Sequence, residues 1–229
     1  MTLDEILDRL NTQRDPAAVA GMARYGIVGQ EVFGVKVPLL RAWAKEAGRD
    51  HALAQQLWAY PSRETRVLAT MIDHWNWVED AQMESWVADF DSWEVCDQAC
   101  GNLFAHTPFA YNKAVAWSER PEEFVKRAGF VLMADLAHRD QKSTDEALAA
   151  FLPIIEREAG DGRNFVKKAV NWALRDIGKR NLNLNQQAIA VAKTLIAQTS
   201  TGARWNGRDA LRELTSEKVQ SILRKRAGG

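Results

Sequence analysis

Apolar residues recur every three or four positions through most of the chain, the spacing that places side chains on one face of an α-helix. Residues 3–10 carry four such positions, and Thr2 and Glu5 stand at the spacing of a capping box. The sequence therefore predicts a helix beginning just after Thr2. No segment shows a sustained alternation rich in Val, Ile and Thr, so we predict no strand.

Proline and small polar residues mark the starts of further helices. Asp15 and Pro16 predict a second helix from about Pro16 to Arg24, and the pattern is helical again over 39–47. Three glycines between these helices indicate a loop. Later starts are predicted at Pro61, Ser92, Pro108, Pro121, Ser143, Asp161, Asn185 and Ser216. Because the connections are short, neighbouring helices should pair antiparallel.

Two short sequences recur at similar offsets. FVKRA at 124–128 returns as FVKKA at 165–169, an offset of 41, and ALRD at 173–176 returns as ALRE at 210–213, an offset of 37. Periods near forty with two helices each are typical of HEAT or armadillo arrays. We predict an all-α fold, a right-handed superhelical solenoid of HEAT-like antiparallel helix pairs with a concave basic groove, forming a single domain over 1–229.

Composition excludes several classes of protein. Hydrophobic residues make up 46% of the chain and charged residues 26%, as in ordinary globular proteins. No run of eighteen apolar residues predicts a membrane span, and the N-terminus does not resemble a secretory signal. The only cysteines, Cys96 and Cys100, are poorly placed for a disulfide and too few for a structural zinc site. We therefore expect a reducing, cytoplasmic location.

The net charge of zero hides an asymmetry. Residues 1–100 contain 9 Lys and Arg against 16 Asp and Glu, a balance of −7, whereas residues 101–229 contain 21 against 14, a balance of +7. A basic face could therefore bind a polyanion. The repeats would place four cations in register along one groove: Arg127, Lys168, Arg175 and Arg212. Solvated helix faces or salt bridges remain the alternative for each of them.

Tryptophan is unusually frequent, with nine residues, most of which should pack in the core. Trp93 and Asp97 are four positions apart, and Trp172 and Arg175 are three apart, so each pair shares a helix face. A core aromatic beside a solvated charge is the alternative in both cases. The four histidines are scattered without a metal-ligand spacing, so we expect no metal site.

Several segments together resemble the AlkD-type DNA alkylation repair glycosylases. DSWEVCD at 91–97 is similar to the family's Trp-x-x-x-Asp segment, and 124–128 resembles its Arg-Ala-Ala helix. FVKKAVNWALR at 165–175 resembles its Lys-Ala-x-x-Trp-x-Leu-Arg helix. MARY at 22–25 and FGVKVP at 33–38 resemble its Met-Ala-Arg-Tyr and Gly-Ile-x-Thr-Pro segments. The likeness extends, in order, over nearly the whole chain.

The resemblance implies a HEAT-like enzyme that removes cationic N3- or N7-alkylated purines from duplex DNA. It assigns the catalytic acid to Asp97 and two aromatic walls to Trp93 and Trp172. The residues expected to bind DNA are Arg127, Arg175, Lys168, Tyr25, Lys36 and Arg212. We expect no cofactor and no metal, and we expect a monomer whose partner is duplex DNA rather than a membrane.

Three positions depart from the family's pattern. Lys36 and Val37 stand where the family has Gln-Thr before proline, and Asp135 replaces a family lysine. Lys36 could turn a polar DNA contact into a charged one, and Asp135 would weaken binding if it faced the groove. These departures favour an alternative, a non-catalytic HEAT-like module that binds DNA structures or a protein.

Overall fold

The computed structural model describes residues 1–228, which form fifteen α-helices and two short 3-10 helices. Among these residues there is no strand, and a single isolated bridge joins Glu31 to Ser62. The prediction of an all-helical chain is confirmed. The helices belong to two compact units, Met1–Pro108 and Phe109–Gly229, called unit 1 and unit 2 below.

Unit 1 contains the first seven helices. They are α1 (Leu3–Thr12), α2 (Pro16–Ala23), α3 (Val37–Ala47), α4 (His51–Ala59), α5 (Arg63–Ile72), α6 (Asp80–Ala88) and α7 (Trp93–Asn102), with 3-10 helices at Trp75–Trp77 and Phe104–His106. The central helix is α5, which packs against α3, α4 and α7. Every residue of α5 other than Met71 is buried, including Arg63, Glu64 and Arg66. Because ionised side chains are costly to remove from water, these three need partners inside the unit.

Unit 2 contains eight helices. They are α8 (Ala110–Ser118), α9 (Glu123–Arg139), α10 (Asp145–Ala149), α11 (Leu152–Glu158), α12 (Asn164–Gly178), α13 (Leu182–Ala197), α14 (Thr201–Leu214) and α15 (Glu217–Ala227). The pairs α8–α9 and α13–α14 pack closely, and α12 lies between α9 and α14. The long helices α9, α12 and α14 therefore succeed one another as equivalent members of a repeat.

Close approach within the helix pairs depends on glycine. A Cβ added at Gly129 of α9 would lie 2.5 Å from the backbone nitrogen of Ser118 in α8. A Cβ at Gly207 of α14 would lie 2.5 Å from the carbonyl oxygen of Ala192 in α13. The repeat register is visible between α9 and α12, where the rings of Phe124 and the equivalent Phe165 stand 5.7 Å apart.

The observed helix starts confirm some of the predictions made from local sequence and contradict others. The capping box at Thr2 and Glu5 is confirmed, and α7 begins directly after Ser92. The predicted start at Asn185 is wrong, because Asn181 caps α13 and the helix begins at Leu182. Asn185 is buried inside that helix, and its amide donates to the carbonyl of Gly178 at 2.8 Å. The starts of α4, α6, α11 and α14 have no counterpart among the predictions.

Candidate functional site

Three of the predicted site residues in unit 1 lie together at the start of α7. The helix begins at Trp93, and Asp97 follows one turn later on the same face, both side chains being half-buried. The Trp93 indole Nε1 donates to the backbone carbonyl of Tyr25 at 2.9 Å. The ring of Tyr25 is itself 74% exposed. This end of α7 therefore combines a fixed indole, a carboxylate and an accessible phenol ring.

An arginine from α5 holds the first turn of α7 in place. The Nε and Nη2 of Arg63 donate to the two carboxylate oxygens of Glu94 at 2.7 and 2.8 Å. Burial lowers the pKa of Arg63, but Glu94 and Glu64 outweigh that effect and leave the pKa above its usual value. Such a two-point contact fixes direction as well as distance. Because Glu94 is next to Trp93, the pair also sets the position of the indole.

The buried carboxylate of Glu64 fixes the loop that leads to Lys36. Its oxygens accept backbone N–H groups from Phe33, Gly34 and Val35 at 3.0, 2.9 and 3.1 Å. Gly34 has a φ of +86°, in the left-handed region that favours glycine. Lys36 follows immediately, exposed at the start of α3. The same arginine–glutamate pair in α5 thus positions both Lys36 and Trp93.

Asp91 lies two residues before Trp93 and is partly desolvated. Burial raises the pKa of Asp91, and the opposing charge of Arg66 does not reverse that shift. Arg66 Nη1 stands 3.2 Å from Asp91 Oδ2 and donates to the carbonyl of Asp89 at 2.8 Å. The segment before α7 is therefore tied to α5 at a second point.

In unit 2, Arg127 is buried and joins two repeats. Its Nη1 donates to the carbonyl of Phe165 at 2.6 Å, so the guanidinium links α9 to α12. Lys168 occupies the equivalent position of the next repeat and is exposed. The two residues predicted to be equivalent cations therefore differ in environment, and only Lys168 extends into solvent.

A chain of alternating charges surrounds Trp172. The indole Nε1 of Trp172 donates to Asp176 Oδ2 at 2.8 Å, and Lys179 lies 2.6 Å from the other oxygen of Asp176. Lys179 also lies 3.0 Å from Glu213 of α14, which forms an ion pair with Arg175. The predicted cation Arg175 is therefore paired within unit 2, and the indole of Trp172 is held by the side chain of Asp176.

The charged members of this chain stabilise one another. Burial opposes the ionised form of Glu213, but the hydrogen bonds and charges of Arg175 and Lys179 outweigh it and lower the pKa of the carboxyl. Burial likewise opposes the charge on Lys179, and Asp176 and Glu213 outweigh it, which raises the pKa of that ammonium. Glu213 and Lys179 are thus each held in the charged form by their neighbours.

Arg212, the last predicted cation, and Asp135, a departure from the family pattern, each pair with a side chain of opposite charge. Arg212 has a side chain 80% exposed and pairs with Asp209 one turn earlier. Asp135 is buried on α9 and lies 3.0 Å from Arg139. Because Asp135 is buried and paired with Arg139, it repels a ligand less strongly than an exposed, unpaired aspartate would. The departure at Asp135 therefore affects packing within unit 2.

Five supporting residues were not predicted from the sequence. A Glu in the first or last turn of an amphipathic helix usually indicates a solvated residue, and nothing local indicates burial. The one usable signal is an acid four positions from Trp172, since a carboxylate at that spacing can accept the indole N–H. The unpredicted residues are Arg63, Glu64, Glu94, Asp176 and Glu213.

Three further observations concern metal ligands, membrane helices and cysteines. Within residues 1–228, no group of three or more His, Cys, Asp or Glu side chains could hold a metal ion. None of the described helices combines the length and apolar character needed to cross a membrane. Both cysteines are free and buried.

Comparison with protein families identifies the chain. The model of the DNA alkylation repair enzyme family matches residues 6–214. The chain belongs to this family. No curated protein matches it. The match includes every residue predicted for catalysis or DNA binding, from Tyr25 to Arg212.

A solved structure confirms the HEAT-like fold of this family member. That structure, described as "a new family of proteins related to the HEAT-like repeat DNA glycosylases with affinity for branched DNA structures", has a TM-score of 0.75 at 17% identity. The similarity covers 84% of this chain and 83% of that one. A designed armadillo repeat protein matches with a TM-score of 0.37 at 18% identity, over 77% of this chain and 92% of its own.

Proposed function

We propose that the chain is a DNA glycosylase that excises cationic N3- or N7-alkylated purines from duplex DNA. Membership of the DNA alkylation repair enzyme family supports a role in repair. The observation that carries the finer proposal is the start of α7, where Asp97 lies one turn from an indole that is fixed to the Tyr25 carbonyl. A carboxylate beside a fixed aromatic ring is what a sugar that becomes cationic requires.

The chemistry needs only one acid because the substrate already carries its charge. As the bond from C1′ to the purine nitrogen breaks, the electron pair moves to the base and leaves it neutral. Water forms the new bond to C1′, and its proton passes to Asp97 or to solvent. The products are the free alkylated base and an abasic site. The second carboxylate, which glycosidases use to protonate their leaving group, is unnecessary.

Each predicted residue has a role in this reaction. Asp97 stabilises the positive charge that develops on the sugar and orients the water. Trp93 and Trp172 offer electron-rich faces to polarised C–H groups and to the cation, each contributing about 0.5–2 kcal/mol. Arg127, expected from the resemblance to bind a phosphate, is buried against Phe165, so we assign the phosphate contact that fixes register to the exposed Lys168 of the next repeat, with Arg127 holding α9 to α12. Tyr25, Lys36, Arg175 and Arg212 add contacts to the DNA.

Base flipping is not required by this set of residues. Selection can come from the lability of the cationic base, since a neutral purine leaves far more slowly from the same sugar. Enzymes that read a base edge need a pocket for the extruded nucleotide. The proposed mechanism needs contacts only to the sugar and the phosphates.

The test is release of methylated base from methylated duplex DNA by wild type and by Asp97→Asn. The variant should lose release while its duplex affinity changes little, because Asn keeps the shape and removes the charge. Glu79→Gln is the matched control, since it removes an exposed carboxylate at the start of α6 in the same unit. Release that persists in Asp97→Asn would remove Asp97 from the catalytic role.

A second candidate is a non-catalytic HEAT-like module that binds DNA structures or a protein. The similar structure with TM-score 0.75 is described as having affinity for branched DNA, and Lys36 departs from the family pattern. Tight binding of a junction or a duplex without any base release would favour this candidate. A steep loss of DNA affinity with added salt would indicate phosphate contacts and would favour DNA over a protein as the partner.

A further inference from the structure

The exposed face of α14 combines one aromatic residue with three arginines. Trp205, Arg208 and Arg212 are separated by three and four positions, so they share one face of the helix, and Arg204 lies beside them. The Trp205 side chain is 41% exposed, which is unusual for so large an apolar group. We call these four residues the α14 stripe.

Two cations of the stripe lack a compensating charge. Within the described part of the chain, neither Arg204 nor Arg208 pairs with a carboxylate. Elsewhere in unit 2, cations near acids form close ion pairs, as Lys126 does with Glu158 at 2.7 Å and Arg163 with Asp161 at 2.6 Å. Uncompensated like charges on one helix face repel one another, and a bound polyanion would relieve that repulsion.

The neighbouring helix adds to the same surface. The ammonium of Lys167 on α12 lies 4.8 Å from the centre of the Trp205 ring, a cation–π contact that orients the indole. Lys168, next along α12, is exposed. An indole held among cations is a poor partner for an apolar protein surface but a good one for a deoxyribose flanked by phosphates.

Repeat register places the stripe one step beyond Trp172. With the offset of 37, Lys168 is equivalent to Trp205 and Arg175 is equivalent to Arg212, and α12 packs against α14. Adjacent helix axes lie about 8–10 Å apart, which is close to three base-pair rises of about 3.4 Å. A duplex contacted at Trp172 would therefore reach the stripe within a few base pairs.

We propose that the α14 stripe, together with Lys167 and Lys168, binds the sugar-phosphate backbone of duplex DNA beside the segment contacted by Trp172. The inference rests on the proposed function for its partner, but it does not require base excision. Arg204 and Arg208 are one turn apart, about 6 Å along the helix, which suits two phosphates of a single strand. The guanidinium groups bind phosphate oxygens, and Trp205 packs against a sugar.

The experiment measures the affinity of the full chain for an undamaged duplex at several salt concentrations. The double variant Arg204→Ala/Arg208→Ala should bind more weakly, and the slope of log affinity against log salt should fall by about 1.8, or about 0.9 per phosphate lost. Trp205→Ala should weaken binding and leave that slope unchanged. The matched control is Lys193→Ala/Lys218→Ala, which removes two exposed cations from α13 and α15. Urea unfolding of each variant separates loss of contacts from loss of fold.

The outcomes separate this inference from the proposed function. If the wild type releases no base but the double variant shows the expected change in slope, the proposed role of the α14 stripe stands and the glycosylase proposal fails. If the wild type releases base but the double variant binds with the wild-type slope, the glycosylase proposal stands and the proposed role of the stripe is overturned. Equal losses in the double variant and its control would also overturn it, since the effect would then be general electrostatics.

Discussion

In unit 1 the most buried helix carries two arginines and a glutamate into the interior, whereas in unit 2 the paired helices approach most closely at glycines. Arg63 and Glu64 hydrogen-bond to four residues on a loop and on α7, namely Phe33, Gly34, Val35 and Glu94. Gly129 and Gly207 bring helix pairs so close that a Cβ would collide with backbone. Directional contacts therefore fix the loop before α3 and the first turn of α7 in unit 1, whereas in unit 2 close helix packing adds to the polar links between repeats.

The difference matters for the proposed chemistry. Irregular segments cannot satisfy their own N–H groups, so a buried carboxylate that accepts three of them fixes the loop before Lys36. A repeat needs no such device, because each helix buries its face against the next. The proposed catalytic acid, Asp97, therefore stands where directional contacts define geometry, and the proposed DNA-binding cations of unit 2 stand on the regular repeat.

The largest expected effect is the loss of Glu64. Glu64→Ala leaves three backbone N–H groups without their acceptor and removes one of the two carboxylates that pair with Arg63, and breaking a buried pair in this way costs about 3–5 kcal/mol. Glu64→Gln keeps part of the acceptor and should lose less. The measurement is the free energy of unfolding in urea. Glu46→Ala is the control, because its exposed pair with Arg9 should change little.

Unit 2 should respond instead to added volume. Gly129→Ala places a Cβ 2.5 Å from the backbone of α8, and such overpacking costs about 1–3 kcal/mol. Gly21→Ala, on α2 of unit 1, meets nothing within 4 Å and should stabilise its helix by about 0.5–1 kcal/mol. Opposite signs in urea unfolding would support the contrast, and two stabilising substitutions would contradict it.

The two proposed aromatic walls allow the same substitution in both units. Trp93→Phe removes a hydrogen bond to a neutral carbonyl, worth about 0.5–1.5 kcal/mol, while Trp172→Phe removes one to an ionised carboxylate, worth about 1.5–3 kcal/mol. Unit 2 should therefore lose more stability than unit 1. Equal losses in urea unfolding would mean that Asp176 does not act as a charged acceptor.

The two units also differ in how much of their structure could be predicted from the sequence. The repeat at 124–128 and 165–169 predicts the stacking of α9 on α12, because periodicity carries the register. The burial of Arg63 and Glu64 has no local signature, since a charged pair in a first helical turn usually faces water. Asn185 shows the converse error, where a good capping residue serves inside a helix by bonding to a distant carbonyl.

The candidate site also contains contacts that could be predicted from the sequence and contacts that could not. The spacing of Trp93 and Asp97 on one helix face could be predicted from the sequence, because a single helix fixes it. The pairing of Arg175 with Glu213 could not, since it joins residues on two helices. Four equivalent cations were expected, yet Arg127 is buried and Arg175 is paired. A repeat determines the backbone position of each residue, but it does not determine the residue with which a charged side chain pairs.

The smallest expected effects are in the dependence of stability on pH, and they have opposite signs. The pKa of Glu213 is below its usual value of 4.5, so its contribution is complete above about pH 4.5 and is lost as the pH falls through the folded value. The pKa of Asp91 is above its usual value of 3.8, so its contribution is present below about pH 3.8 and is lost as the pH rises through the folded value.

Urea unfolding between about pH 3 and pH 7 should separate the two carboxyl groups. Glu213→Gln should flatten the acid loss of stability, because the variant has no charge to lose. The difference in stability between Asp91→Asn and wild type should move in favour of the variant as the pH rises, because only the wild type must ionise a desolvated acid. Parallel pH profiles for the two variants would mean that burial and ion pairing contribute alike in the two units, which would contradict the contrast between them.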